Sequence, residues 1–319
     1  MRILVTGSAG HLGEALMRTL RERGTPALGV DVLPSPFTDV VGSIVDRQVV
    51  DACMPGITHV LHAATLHKPH VITHSRQDFV DTNITGTLNL LEASVACNVR
   101  SFVFTSTTST FGDALTPPAG SPAAWITEDV VPIPKNIYGV TKTAAEDLCR
   151  LFHRNQKLPC LVLRTSRFFP EEDDVLERAA AYSGDNLKAN EFLYRRVDIE
   201  DVVTSHFLAM ERAPQLGFDK FIITATTPFR PEDAAALGLD TPAILARYYP
   251  EFPALFARKG WKMLPTLDRV YDNSRARAVL GWQPIYDFKH VLRSIAAGED
   301  YRSALAIAVG AKGYHRKAT

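Results

Sequence analysis

Short apolar runs alternate with segments of helical periodicity along the first half of the chain. The first run covers residues 3–5, and apolar side chains then recur at helical spacing between Leu12 and Leu20. Strands buried on both faces appear as continuous apolar runs, and helices between them imply right-handed crossovers and a parallel sheet. The pattern therefore predicts an α/β protein with a Rossmann-type doubly wound parallel sheet. The predicted strands lie at 3–5, 27–30, 40–41, 60–61, 102–104, 161–163 and 221–223.

The alternation of apolar runs with helical periodicity does not continue in the second half of the chain. Prolines punctuate the stretch from 112 to 138, an acidic run occupies 171–174, and 228–265 is rich in proline and aromatic residues. We expect a smaller C-terminal domain, mainly residues 166–319, that covers the carboxyl ends of the strands and binds the substrate. Residues 1–165 would form the sheet domain, to which the chain returns at about 195–225.

Composition narrows the class of partner. The 319 residues include 35 Lys and Arg against 35 Asp and Glu, so the formal net charge is zero. Proteins that bind phosphate backbones or anionic membranes carry a basic surplus, so we expect neither nucleic acid nor membrane as a partner. The four cysteines form no CxxC pair, which favours reduced thiols. Without a signal peptide before residue 3 or an apolar span, we expect a cytoplasmic protein.

A glycine-rich turn directly follows the first run, with Gly7, Gly10 and Gly13 in the sequence Thr-Gly-Ser-Ala-Gly-His-Leu-Gly. Glycines at this spacing allow a tight turn, a close backbone approach to a pyrophosphate and tight helix packing. The helix that follows offers free N–H groups and its positive dipole end to phosphates. The turn therefore predicts a dinucleotide site, whose further contacts are Ala9, His11 and Leu12.

Asp31 ends the second predicted strand, 18 residues after Gly13. A carboxylate at this place accepts hydrogen bonds from the adenosine ribose hydroxyls and repels a 2′-phosphate. No Arg or Lys occurs between residues 32 and 37. The sequence therefore predicts NAD rather than NADP, held by the domain of residues 1–165.

Tyr138 and Lys142 stand four residues apart, which puts both on one face of a helix. An ammonium group near a phenol favours the phenolate, so a group of reference pKa about 10 becomes a base for neutral pH. A cluster of hydroxyl residues at 105–110 follows the fifth run, at the strand end where α/β sheets bind ligands. Together these features indicate proton transfer beside a nicotinamide.

In order and spacing, these motifs resemble the extended short-chain dehydrogenase/reductase family, in its NAD-dependent epimerase/dehydratase branch. The resemblance covers almost the whole chain. It rests on the glycine signature, the Tyr138–Lys142 pair, Ala63-Ala64 after the fourth run, the Asn83 segment, the hydroxyl cluster and the late segments 272–276 and 280–282.

The resemblance implies roles for individual residues. Tyr138 would be the general acid/base, and Lys142 would lower its pKa and hold the nicotinamide ribose. The family's active Ser or Thr stands four residues before an aromatic-Gly pair, here 111–112, so Thr107 matches it and Ser106 is the neighbouring alternative.

The same resemblance implies that Ala63, Ala64 and Thr65 lie along the nicotinamide half of the cofactor, and that Asn83 is the helix asparagine near the cofactor. A cap at the start of a helix is the alternative reading of Asn83. His62 would be structural at the strand end.

Two departures from the family pattern change the expected substrate. Family 4,6-dehydratases carry Asp-Glu after the active Thr, whereas this chain has Thr108-Ser109, which argues against dehydration. Arg167 stands near the place where nucleotide-sugar members usually have Asn, and its guanidinium suits a carboxylate or phosphate. Surface ion pairing with the acidic run is the alternative for Arg167, as for Arg195 and Arg196. The predicted substrate contacts are Lys68, Thr107, Thr108 and Arg167.

Three histidines, His67, His70 and His74, have a spacing that could suit a metal on a helix, but a zinc site needs a closed ligand set with supporting partners. We expect no metal, and we expect His67 and Lys68 at the rim of the pocket.

The sequence leaves three functions open. Epimerisation of a nucleotide-linked sugar is the first choice, and dehydrogenation or reduction of a free sugar, sugar acid or other carbonyl compound is the second. A redox sensor that binds dinucleotide without chemistry is disfavoured because Tyr138 and Lys142 are both present. By analogy with the family, the helix after Tyr138 predicts a homodimer, through an apolar stripe formed by Ala144, Ala145, Leu148, Leu151 and Phe152.

Overall fold

The computed structural model describes residues 1–118, 120–171 and 180–313. Its strands are β1 (Ile3–Thr6), β2 (Ala27–Asp31), β3 (Val40–Val41), β4 (His59–His62), β5 (Ser101–Thr107), β6 (Ala124–Ile126), β7 (Cys160–Thr165), β8 (Phe218–Ile223) and β9 (Arg269–Tyr271). Seven of them form one parallel sheet in the order β3-β2-β1-β4-β5-β7-β8, and β6 pairs with β9 separately. The direction in which successive strands are added to the sheet reverses between β1 and β4, which confirms the doubly wound fold class. All seven predicted strands are present in this sheet.

The continuous apolar runs form strands because both faces of the sheet are covered. In β1, Ile3 and Val5 belong to the core on one face and Leu4 to the core on the other, and all three are fully buried. Burying each such side chain contributes about 2 kcal/mol to the free energy of unfolding.

The described helices number twelve, and the first five alternate with the strands. They are α1 (His11–Glu22), α2 (Arg47–Cys53), α3 (Arg76–Val80), α4 (Gly86–Ala96), α5 (Ile137–Gln156), α6 (Gly184–Glu191), α7 (Ile199–Leu216), α8 (Ala234–Leu237), α9 (Thr241–Tyr248), α10 (Phe252–Lys259), α11 (Phe288–Ala297) and α12 (Ala304–Val309). Helices α1 and α7 cover one face of the sheet, and α2, α4 and α5 cover the other.

A second hydrophobic core lies outside the sheet. It gathers apolar side chains from α6 and from α8 to α11, among them Leu187, Leu245, Phe256 and Phe288. The chain after β9 is anchored to α7, because the indole N–H of the fully buried Trp282 donates to the Asp201 carbonyl at 3.1 Å. Among the described residues, no helix is both long and apolar enough to cross a bilayer.

Candidate active site

The glycine-rich turn runs from the carboxyl end of β1 into α1. Gly7 has a positive φ of 74°, and a Cβ there would lie 2.7 Å from the backbone nitrogen of Ala64. A Cβ on Gly13 would lie 1.9 Å from the Gly7 carbonyl oxygen, so only glycine lets α1 pack this closely on the turn. Gly10 is the N-cap residue of α1. Because glycine has no side chain to accept a hydrogen bond, the backbone N–H groups of the first turn stay available to a ligand.

These features fit a dinucleotide pyrophosphate. The backbone N–H groups of His11, Leu12 and Gly13 have no intrahelical acceptors, because they belong to the first turn of α1. Ala63 and Ala64 follow β4 and lie against Gly7, so small side chains line the turn on both sides.

Asp31 is the last residue of β2 and lies beside the glycine-rich turn. Its Oδ2 accepts from the Ala9 backbone N–H at 3.0 Å, and its Oδ1 accepts from the Leu33 N–H at 2.9 Å. Each carboxylate oxygen can accept more than one hydrogen bond, so both retain capacity for a diol. The two backbone bonds hold the carboxylate beside the glycine turn, as a ribose-binding group requires.

We expect Asp31→Asn to weaken NAD binding by roughly tenfold, because one charged acceptor is lost. The same change removes the repulsion of a 2′-phosphate, so the ratio of NAD affinity to NADP affinity should fall further. Titration calorimetry with both dinucleotides measures this. Asp51→Asn, which changes an exposed carboxylate on α2 paired with Arg47, is the control. Unchanged NAD affinity in the Asp31 variant would contradict the assignment.

Tyr138 lies in the first turn of α5, which Asn136 caps by accepting from the Gly139 N–H at 3.1 Å. The side chain of Thr107, the last residue of β5, lies close enough to the Tyr138 hydroxyl to favour its ionised form. Tyr138 and Thr107 are only 7% and 8% exposed. The structure thus brings these two predicted residues together at the carboxyl edge of the sheet. Thr108 follows in a buried 3₁₀ turn, Thr108–Phe111.

The expected lowering of the Tyr138 pKa by Lys142 is not seen. Burial raises the pKa of Tyr138 to about 12, and the Thr107 side chain offsets this only in part. The Lys142 ammonium instead donates to the Thr105 carbonyl at 2.6 Å and lies 4.0 Å from the centre of the Phe104 ring. Burial lowers the pKa of Lys142 to about 7, against the opposing charge of Glu146. The spacing of the pair follows from the sequence, whereas the carbonyl that competes for the ammonium is brought near by the fold.

Ser106, the alternative to Thr107, has its hydroxyl engaged elsewhere. Its hydroxyl donates to Glu146 at 2.6 Å, inside a buried polar network that the sequence reasoning missed. Glu146 also accepts from Arg164 at 2.7 Å and from Lys220 at 2.8 Å. Burial alone would raise the pKa of Glu146, but the hydrogen bond and charge of Arg164 outweigh it and lower the pKa. The sequence signal for this network is the position of Glu146, four residues after Lys142 and therefore on the same face of the helix.

Asn83 joins the loop after β4 to α5. Its amide oxygen accepts from the Thr65 hydroxyl and the Leu66 N–H, both at 2.9 Å. Its amide nitrogen donates to the Leu66 carbonyl at 2.9 Å and to the Thr141 hydroxyl at 3.0 Å. Because an amide of this kind makes about four hydrogen bonds, none remains for NAD. Asn83 therefore ties the loop after β4 to α5 and does not cap a helix, and its place near the cofactor stays a prediction.

The histidines form an aromatic row rather than a metal site. His67 stacks on Phe169 at 5.3 Å between ring centres and meets His70 edge-on at 4.6 Å, and His70 meets His74 at 5.0 Å. No group of metal-binding side chains occurs among the described residues. Lys68 begins the short 3₁₀ turn Lys68–Ile72 beside this row.

His62 is structural, as expected. It is buried and bonds the Thr6 hydroxyl at 2.7 Å and the Thr87 hydroxyl at 2.9 Å, so it joins β1, β4 and α4.

Among the described residues, the arginines after β7 pair with a carboxylate of α6. Arg167 faces Glu191 at 3.7 Å, and Glu191 also binds Arg195 at 2.6 Å and Arg196 at 2.8 Å. From the acidic run, Glu171 instead binds His11 of the glycine turn at 2.8 Å. Residues 172–174 lie outside the described residues. Glu191, at the end of α6, is close in sequence to Arg195 and Arg196, and the tertiary fold brings it near Arg167.

A dinucleotide cradle, a ribose-binding carboxylate and a buried Tyr-Thr pair on one sheet edge define a dinucleotide-dependent α/β enzyme. The sequence profile of the NAD dependent epimerase/dehydratase family matches residues 3–218. The chain belongs to this family. The membership confirms the resemblance stated from the sequence, the assignment as an enzyme and the choice of NAD as cofactor.

Individual relatives match over different lengths. UDP-glucose 4-epimerase of Mycolicibacterium smegmatis is 27% identical over 89% of this chain and 94% of its own. The uncharacterised protein y4nG of Sinorhizobium fredii is 31% identical over 50% of this chain, which spans only 39% of that protein. A solved short-chain dehydrogenase/reductase superfamily protein of Agrobacterium tumefaciens with bound NAD superposes with a TM-score of 0.66. It is 24% identical over 93% of this chain and 96% of its own, and it shares the fold.

Proposed function

We propose that the protein uses NAD to oxidise a secondary alcohol of a sugar-type substrate, and that its overall reaction is epimerisation of a nucleotide-linked sugar. The observation that carries the proposal is the proximity of the buried Tyr138 hydroxyl to the Thr107 side chain at the carboxyl edge of the sheet. Family membership and the alignment with the mycobacterial epimerase over 94% of its length support the sugar substrate. The second hydrophobic core, within 166–319, would be the substrate domain.

Each residue then has a defined task. Tyr138 receives the hydroxyl proton of the substrate, and Thr107 holds the same oxygen through its own hydroxyl. When bound, NAD supplies the acceptor for the departing hydride and a positively charged ring beside the phenol. Tyr138 must lose its proton against burial, which raises its pKa to about 12. Lys142, one helical turn away, assists only while it is charged, because its own pKa is lowered to about 7.

A dehydrogenase of a free sugar or sugar acid is the second candidate. Arg167, in the place where nucleotide-sugar members usually carry Asn, favours it because a guanidinium suits a terminal carboxylate. The residues that handle the proton are the same for both reactions, so they do not discriminate between them.

Absorbance near 340 nm separates the two reactions. An epimerase returns the hydride to the sugar, so we expect almost no net NADH and a new epimer detectable by NMR. A dehydrogenase would instead give one NADH for each ketone released. The screen covers nucleotide sugars, uronic acids and free sugars with the full chain and added NAD. Absence of both signals across the screen would reject the proposed function.

We also infer a homodimer through α4 and α5. Part of the stripe on α5 is used internally, since Ala145 and Phe152 are buried in the chain's own core. Leu151 and Val140 on the same helix are 37% and 48% exposed, which leaves apolar surface for a second copy. Light scattering should give twice the chain mass, and Leu151→Lys should shift it to the monomer.

A further inference from the structure

The segment after α12 lies against the end of α1 that carries the glycine-rich turn. Helix α12 buries Val309 in the core that it shares with α1. Three residues later, the Lys312 ammonium donates to the carboxylate of Glu14, in the first turn of α1. Glu14 also accepts from Arg18 at 2.7 Å, so one carboxylate joins the helix to the segment. The segment is therefore fixed beside the N-terminus of α1.

Glu171, which follows β7, connects this segment to the glycine-rich turn. Its Oε1 accepts from the backbone N–H groups of Lys312 and Gly313, both at 3.2 Å. The same oxygen binds Nε2 of His11, the first residue of α1, at 2.8 Å. Burial alone would raise the pKa of Glu171, but the hydrogen bond and charge of His11 outweigh it and lower the pKa. One carboxylate oxygen thus holds three donors that are far apart in the sequence.

His11 takes part in both the cofactor site and these contacts. Its backbone N–H belongs to the first turn of α1, where a pyrophosphate binds. Its buried side chain binds Glu171 and meets the Phe169 ring edge-on at 5.3 Å between ring centres. A negatively charged pyrophosphate nearby favours the charged form of an imidazole, and a charged imidazole binds a carboxylate more strongly than a neutral one. An anion at the backbone of His11 should therefore strengthen the contact of its side chain with Glu171.

We propose that His11 and Glu171 couple the binding of NAD to the docking of the segment around Lys312. NAD at the glycine-rich turn strengthens the contacts that hold residues 312 and 313 against α1. Because coupling between two binding events is reciprocal, the docked segment raises the affinity for NAD by the same factor. The coupling concerns the cofactor site alone, so it does not depend on which sugar the enzyme converts or on whether the reaction is epimerisation or dehydrogenation.

Limited trypsin digestion of the full chain, free of dinucleotide and with saturating NAD, tests the coupling. Trypsin cuts after Lys312 only when the segment opens from Glu14 and Glu171, so the rate of this cut reports docking. Mass spectrometry follows the fragment that ends at Lys312. Cleavage after Lys259, which is exposed at the end of α10, is the internal reference. NAD should slow the first cut relative to the second by roughly tenfold, within the usual range of coupling between sites.

Two variants break the contact that carries the coupling. Glu171→Gln removes the ion pair with His11, and His11→Phe keeps an aromatic ring against Phe169 but cannot bind Glu171. Both should lose most of the NAD-dependent protection after Lys312, and by reciprocity their calorimetric affinity for NAD should fall by up to the same factor, roughly tenfold. Glu22→Gln is the matched control, because it makes the same chemical change on an exposed side chain at the other end of α1. Its protection and its NAD affinity should equal those of the unchanged protein.

Equal protection of both cuts by NAD would mean that the cofactor only stabilises the whole fold, and it would overturn the inference. Protection that both variants retain in full would overturn it as well, because the contact between His11 and Glu171 would then carry no coupling. If a variant does not fold, as judged by circular dichroism, the comparison of the two cuts in the unchanged protein still decides. Neither measurement requires turnover, so failure of the proposed function would leave the result unaffected.

Discussion

Tyr138→Phe is expected to lower turnover by roughly 10²- to 10⁴-fold, the usual contribution of a positioned proton donor or acceptor. The variant loses only the hydroxyl that lies close to Thr107, and the ring keeps its buried place at the start of α5. Affinity for NAD should therefore change little. The measurement is kcat for whichever sugar the screen identifies, together with calorimetric binding of NAD.

Tyr248→Phe is the matched control for this variant, because Tyr248 donates to Asp233 in the second core and touches none of the residues assigned to the reaction. Its kcat should stay close to that of the unchanged protein. Full turnover by the Tyr138 variant would remove the proton-transfer role and the proposed function with it. Loss of turnover together with NAD binding would indicate a damaged fold instead.

The largest loss of stability is expected from Glu146→Gln. Glu146 is fully buried and binds Ser106, Arg164 and Lys220. An amide of the same shape removes the negative charge and leaves the buried guanidinium of Arg164 uncompensated. Breaking a buried ion pair in this way costs about 3–5 kcal/mol of the free energy of unfolding. Urea unfolding followed by circular dichroism measures the change.

Glu92→Gln provides the comparison for a surface pair. Glu92 binds Arg47 with both side chains more than 40% exposed, and exposed pairs contribute about 0–1 kcal/mol. The two variants make the same chemical change at opposite extremes of burial. If Glu146→Gln cost no more than Glu92→Gln, the network would not be a main support of the catalytic edge.

The network also explains how the catalytic groups are held. Glu146 on α5 fixes Ser106, the neighbour of Thr107 at the end of β5. Asn83 fixes the loop after β4 to Thr141, between Tyr138 and Lys142. Two fully used polar groups therefore set the positions of the strand end and the helix on which proton transfer depends.

The sequence by itself determined the sheet, the glycine turn, Asp31 and the Tyr138–Lys142 spacing, because each of these depends on neighbours in the chain. Apolar runs identify buried strands, and glycines mark backbone approaches that any side chain would block. Parallel strands then place every loop that follows a strand at one edge, which predicts where Gly7, Ala63, Thr107 and Arg167 meet.

Tertiary structure alone decided which groups become partners across that edge. The carbonyl that holds Lys142, the approach of Glu191 to Arg167 and the contact of Glu171 with His11 all join residues distant in sequence. Local pattern carries no information about such pairs, since burial and competing partners fix both the hydrogen bonds and the pKa values. The direction of the Tyr138 pKa shift was therefore wrong from sequence, because desolvation depends on everything packed around the phenol.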